Sequence, residues 1–148
     1  IMTVNSKKQL KQAAIAMSAV ALVGTSGCSV VNRVSKQLEG EWDITSWVQD
    51  GYDYMTYYQS ASLDFGAAED GEGDFDWNWT DGAGDSYQLE GEFELNDDAT
   101  EIDLDGEITV YSISIPVSGS FDLEIDGDDL DLDGTFSGYA STIQAERQ

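Results

Sequence analysis

Phe75, Trp77 and Trp79 fall on alternate positions, with Asp74, Asp76 and Asn78 between and before them. In an extended chain that spacing gathers three aromatic rings on one face. Such a face can wall a pocket for an apolar molecule, or simply fill a core. Tyr54 and Tyr58, with Tyr52 and Tyr57 beside them, carry the aromatic supply into the first long connection, where side chains can reach a ligand. A second chemistry is metal binding. Asp129-x-Asp131-x-Asp133-Gly134 reproduces the first half of a calcium-binding loop, but its twelfth position is Ala140 rather than Glu. A looser divalent site at Asp126, Asp128, Asp129 and Asp131 stays open, with calcium the cation that carboxylate oxygens suit. No other cofactor is expected. The chain has no histidine, which argues against Ser-His-Asp, Cys-His and the common zinc arrangements. With 30 acids, spacing cannot single out a glycosidase-like pair. No enzyme activity is expected.

These residues need strands to position them. Tyr87, Leu89, Phe93 and Leu95 alternate with Gln88, Glu90, Glu92 and Glu94. Ile102, Leu104, Ile108 and Val110 repeat the pattern, as do Phe121, Leu123 and Ile125, and Leu130, Leu132 and Phe136. Period two marks half-buried strands. Further strands are read over 42–48, 58–65, 75–79 and 111–117, the last with Pro116 at an edge or bend. About eight short strands without a helix predict an all-β chain, an antiparallel up-and-down barrel rather than a sandwich. Leu-acid-Gly recurs at Leu38, Leu89, Leu104 and Leu132, each time placing glycine inward, where a strongly curved barrel needs a kink.

Register follows from one turn. Gly127-Asp128 fits a two-residue hairpin of type II′, which pairs Leu123 with Leu132 and sets Phe121 over Gly134. Pairing 87–95 with 102–110 brings Phe93 to Leu104 and Gly91 to Gly106. The outer face then opposes acid to acid six times in these two hairpins. Each such pair costs roughly 0.2–1 kcal/mol. Screening or bound divalents must offset that, so saline or calcium-containing surroundings are expected.

Lys7, Lys8 and Lys11 precede an uncharged run from Ala13 to Gly24, and small residues lead to Cys28, the chain's single cysteine. The run is about 12 residues, short of the roughly 20 of a membrane span. It resembles a bacterial lipoprotein signal peptide, with cleavage before Cys28 and acyl chains such as palmitate on its sulfur. This gives residues 1–27 as signal peptide, 28–37 as lipidated cysteine and polar tether, and 38–148 as the domain. By the same resemblance the protein sits in the cell envelope, on the outer membrane, facing the periplasm. Past the leader, three basic residues (Arg33, Lys36, Arg147) stand against all 30 acids. Such a surface repels nucleic acid.

Leu38-Glu39-Gly40-Glu41-Trp42-Asp43-Ile44, followed by Val48-Gln49-Asp50-Gly51, resembles the opening of lipocalin-like lipoproteins of Bacteroidota and related bacteria. Gly40 and Trp42 carry the match. The resemblance implies an eight-stranded barrel that binds a small hydrophobic molecule, with Trp42 closing the base beneath a late basic residue; Arg147 is the candidate. The domain is shorter than a typical lipocalin and shows no terminal helix. Two readings follow: a lipid-anchored, ligand-binding barrel with Phe75, Trp77, Trp79, Tyr54 and Tyr58 at its pocket, or a structural or adhesion module with an acidic, divalent-binding surface.

Overall fold

The computed structural model describes the backbone of residues 25–148 and side chains from residue 30 onward. The expected signal peptide, residues 1–27, lies outside the described residues apart from its last three backbone positions. A helix, α1 (Thr25–Leu38), leads into β1 (Gly40–Gln49), β2 (Tyr52–Asp53), β3 (Tyr58–Phe65), β4 (Glu72–Asp81), β5 (Ser86–Leu95), β6 (Glu101–Val110), β7 (Ile113–Asp126), β8 (Asp129–Phe136) and β9 (Tyr139–Arg147). Each long strand pairs antiparallel with the next, and β9 returns to β1. β2 is a two-residue addition folded back on β1. The wall is therefore a closed eight-stranded up-and-down barrel.

Alternation builds the two faces. Leu89, Phe93, Leu95, Ile102, Leu104, Phe121, Leu130 and Leu132 are buried inside, while Glu92, Asp103, Asp105, Asp122, Glu124 and Asp131 are exposed outside. The registers expected from the hairpins are the ones observed: Phe93 opposes Leu104, Gly91 opposes Gly106, Leu123 opposes Leu132, and Phe121 opposes Gly134. Only Gly127 of the Gly127-Asp128 turn has positive φ (+63°), as type II′ requires. A Cβ on Gly91 would stand 2.0 Å from the Asp105 carbonyl oxygen and 2.4 Å from the Gly106 Cα. The wall can curve this sharply only because both positions lack side chains.

Four features depart from the sequence expectation. The segment read as a polar tether is α1, because Val30, Val31, Val34 and Leu38 recur at helical spacing and Val31, Ser35 and Leu38 are buried against the barrel's lower end. The strands expected at 111–117 and 121–125 are one, β7, and Tyr111-Ser112 is the turn before it. Pro116 lies beyond the last β7–β8 pair, Gly119 with Phe136, where that edge of β7 has no partner and a missing N–H costs nothing. β9 was not expected at all. Its inward set, Ser141, Ile143 and Ala145, is too small and mixed to show as a hydrophobic period. A bulge between Ile44 and Ser46 also shifts the phase of β1, so that Trp42 and Ile44, then Trp47 and Gln49, face inward.

Candidate ligand site at the aromatic end of the barrel

The barrel has two dissimilar ends. At the base, α1 stops where β1 starts, and Gly40 (φ +114°) turns the chain between them. Trp42 is fully buried and donates its indole N–H to the Leu38 carbonyl at 2.8 Å. The Arg147 guanidinium lies 4.2 Å from the Trp42 ring centroid. It donates to the Glu39 carbonyl at 3.0 Å and to the Gln37 carbonyl. A helix leaves its last carbonyls unpaired and carries partial negative charge there. Arg147 satisfies both, so the expected closure by Gly40, Trp42 and Arg147 also fastens the helix. Cys28 lies within α1; its side chain is outside the described ones.

The opposite end is the mouth, where the 50–57 connection and the β4–β5, β6–β7 and β8–β9 turns gather. All seven tyrosines of the chain are there: Tyr52, Tyr54, Tyr57, Tyr58, Tyr87, Tyr111 and Tyr139. Among the described residues every exposed large hydrophobic side chain is there too, namely Tyr52, Tyr57, Tyr111, Ile113, Ile115 and Tyr139.

Below the rim the rings form a cup. Trp77 on β4 and Phe136 on β8 come from opposite sides of the wall, and their centroids are 4.9 Å apart, closing the bore as a floor. Trp47 stands 4.8 Å from Trp77 and 5.5 Å from Trp79. Tyr54 and Tyr58 cover it at 5.3 and 5.4 Å. Trp79 stacks on Tyr87 at 5.8 Å, 20° between planes. Four of the five expected pocket residues, Trp77, Trp79, Tyr54 and Tyr58, therefore meet. Phe75 does not join them; it is buried lower on β4, on the base side of Trp77. Trp47, Gln49, Phe136 and Tyr87 complete the cup, and none was assigned to a site from sequence. The bulge in β1 hides the first two, and a second Trp on the strand carrying the barrel-closing Trp42 was the available signal.

Three buried polar atoms in this region have no hydrogen-bond partner within the protein: Nε1 of Trp47 (2% exposed), Nε1 of Trp77 (0%) and Oε1 of Gln49 (9%). Buried groups left so are costly. Trp79 and Tyr87 of the cup also border a notch in the wall. β5 and β6 stop pairing at Leu89–Ile108, although both strands run on. A notch of about 400 Å³ opens there, lined by Trp79 and Tyr87 with Thr80, Gln88, Glu90 and Glu107 among its walls.

Asp81 sits at the same end. Its carboxylate accepts from the backbone N–H of Asp85 (3.0 Å) and Ala83 (2.9 Å) and from the Tyr87 hydroxyl (3.2 Å). The Asp85 amide first, then Ala83 and Tyr87, hold it below the usual carboxylate range. That bond in turn holds the Tyr87 phenol above its ordinary value. Burial, and then Tyr54 and Asp81, raise Tyr58.

The acids considered for calcium do not converge. Asp126 opposes Asp129 across the turn, Asp131 opposes Glu124, and Asp128 lies 3.6 Å from Arg147. Among the described residues no group of three possible ligands surrounds one point.

Solved structures share the barrel. A redesigned β-barrel matches with a TM-score of 0.60 at 23% identity, covering 78% of this chain and 96% of that one. A de novo designed fluorescence-activating β-barrel matches at 0.54 and 14%, covering 78% and 97%. A redesigned barrel bound to DFHBI matches at 0.54 and 19%, covering 78% and 99%. At these identities the likeness is one of fold. No protein-family model matches the chain, and no curated protein sequence matches it.

Proposed function

We propose that the chain is a non-enzymatic, lipid-anchored envelope protein whose aromatic cup binds a small apolar molecule. The observation that carries this reading is the pair of buried, unpartnered indole N–H groups, Trp47 and Trp77, packed together in the aromatic cup. A bound acceptor atom there recovers the energy that buried donors lose. The DFHBI-bound barrels support it as a use to which this architecture lends itself. Titration of tryptophan emission with DFHBI and with tert-butylbenzene tests it. A saturable change that Trp77→Phe abolishes is expected; a flat emission with both probes and with phenyltrimethylammonium, the cationic analogue of the second, sinks it. The Trp77–Phe136 contact that closes the bore favours the other reading, a module without a pocket, and the flat result would select it.

The anchor reading fits the same polarity. The bacterial lipoprotein likeness puts the lipid on Cys28, within the helix that covers the base, so the tyrosine-rich mouth faces away from the membrane. Cys28→Ala should shift the protein from the membrane to the soluble fraction and abolish labelling by a palmitate analogue. Retention of label in that variant would end this part of the reading.

A further inference from the structure

The electrostatics of the cup distinguish among apolar ligands. Among the described residues the cationic side chains are Arg33 and Lys36 on α1 and Arg147 at the end of β9, all at the base. The mouth holds acids alone. Glu90 and Glu107 oppose each other across β5 and β6 and both line the notch. Asp81, fixed by three hydrogen bonds, adjoins it through the Tyr87 hydroxyl. Trp79 and Tyr87, stacked on each other, line the same notch. A carboxylate ligand entering here meets like charge from every side and no cation. A positive centre meets counter-charge and aromatic faces together, the two elements that bind quaternary and protonated amines.

Resting on the ligand-binding reading above, we propose that the ligand is an organic cation, an aromatic or apolar amine or quaternary ammonium, held in the notch between Trp79, Tyr87, Glu90 and Glu107.

Phenyltrimethylammonium and tert-butylbenzene have the same shape and differ in charge, and benzoate adds the anion. Binding is followed by tryptophan emission and calorimetry at physiological ionic strength. The cation should bind at least about tenfold more tightly than its neutral twin, and benzoate least. Because the whole chain is acidic (net charge −24), diffuse attraction needs its own control. Glu90→Gln/Glu107→Gln should lower cation affinity about five- to tenfold. Asp122→Asn/Glu124→Gln removes the same charge from the lower outer wall and should change it less than about twofold, since screening confines charge effects to roughly 8 Å. Equal binding of cation and twin overturns the proposal while leaving the ligand site standing. So does an equal loss in the two double variants. If neither twin nor DFHBI binds, the proposal falls together with the site.

Discussion

The outer wall carries a charge arrangement whose cost can be measured with salt. Fourteen cross-strand pairs oppose acid to acid: one each in β1–β3, β1–β9, β3–β4, β6–β7 and β8–β9, and three each in β4–β5, β5–β6 and β7–β8. Among the described residues no cross-strand pair opposes acid to base. The rows run across several strands, as in Asp64, Asp76, Glu90 and Glu107, or Asp74, Glu92 and Asp105. Directly opposed like charges cost about 0.2–1 kcal/mol. Taking the lower end for exposed groups, about 0.2–0.3 kcal/mol each, the set costs about 3–4 kcal/mol, a large part of a small domain's stability. Between 10 mM and 1 M NaCl the Debye length falls from about 30 Å to about 3 Å, below the roughly 5 Å between opposed Cβ atoms. Screening should then return about 2–3 kcal/mol, or a rise of about 10 °C in Tm. Thermal unfolding followed by near-ultraviolet circular dichroism gives the slope, with sucrose as the non-ionic control. Asp74→Asn/Glu92→Gln/Asp105→Asn should raise Tm at low salt and flatten the slope. A rise under about 2 °C over the same range would show that the opposed carboxylates are not a significant load.

Other consequences are local. Arg147→Ala removes the cation above Trp42 and two charged hydrogen bonds to the helix end; the urea midpoint should fall by the equivalent of about 2–4 kcal/mol, and Arg147→Lys should recover less than half because it lacks the planar fork. Gly91→Ala forces a methyl group into the Asp105 and Gly106 backbone and should cost more than about 3 kcal/mol or prevent folding, whereas Gly84→Ala, in open space with φ +91°, should cost only about 1 kcal/mol. Asp81 has a lowered carboxyl pKa, so what it adds to stability is complete above about pH 4 and is lost as pH falls through its folded value; Asp81→Asn should remove that acid-side step from a Tm-against-pH curve. Tyr58 and Tyr87 are raised, so in a 295 nm titration their ionisation should lie above the ordinary phenol value near 10, and whatever stability they hold is lost as pH climbs past that value.

Much of the wall was legible because its signal is local and repeated. Oily and acidic residues alternate from Tyr87 to Phe136, and one turn, Gly127-Asp128, fixes which partners meet. What failed to show was whatever departs from strict alternation. The bulge at Thr45 inverts the phase of β1, so Trp47 reads as outward if counted from Trp42. β9 closes the barrel with Ser141, Ile143 and Ala145, too small to stand out beside Gln144 and Thr142. The helix has an apolar stripe only four residues long within a polar segment, and it is held as much by Arg147, more than a hundred positions away, as by its own sequence. The cup was half legible: Trp77 and Trp79 announce themselves on one strand, whereas Phe136 reaches them only across the closed bore.

The division between base and mouth is where fold and chemistry meet. Closing the barrel needs one fixed point where the first and last strands join, and this chain builds it from its only late cation, stacked on Trp42 and bonded to the helix end. Spending Arg147 there leaves the other end with no described positive charge. The rim is also less constrained: β7 runs past the end of β8, and its leading turn puts Tyr111, 94% exposed, in the left-handed region at φ 51°. A bulky residue in that conformation is strained unless its surroundings impose it. Here the two-residue turn imposes it, and the result is an exposed tyrosine on the rim, next along the chain to the exposed Ile113 and Ile115. Relaxing the turn with Tyr111→Asn/Ser112→Gly should therefore stabilise the barrel by about 1 kcal/mol. The same variant should weaken phenyltrimethylammonium binding if the tyrosine contributes to the mouth. A gain in stability with binding unchanged would show that the rim on this side is scaffold, and would confine the ligand to the notch.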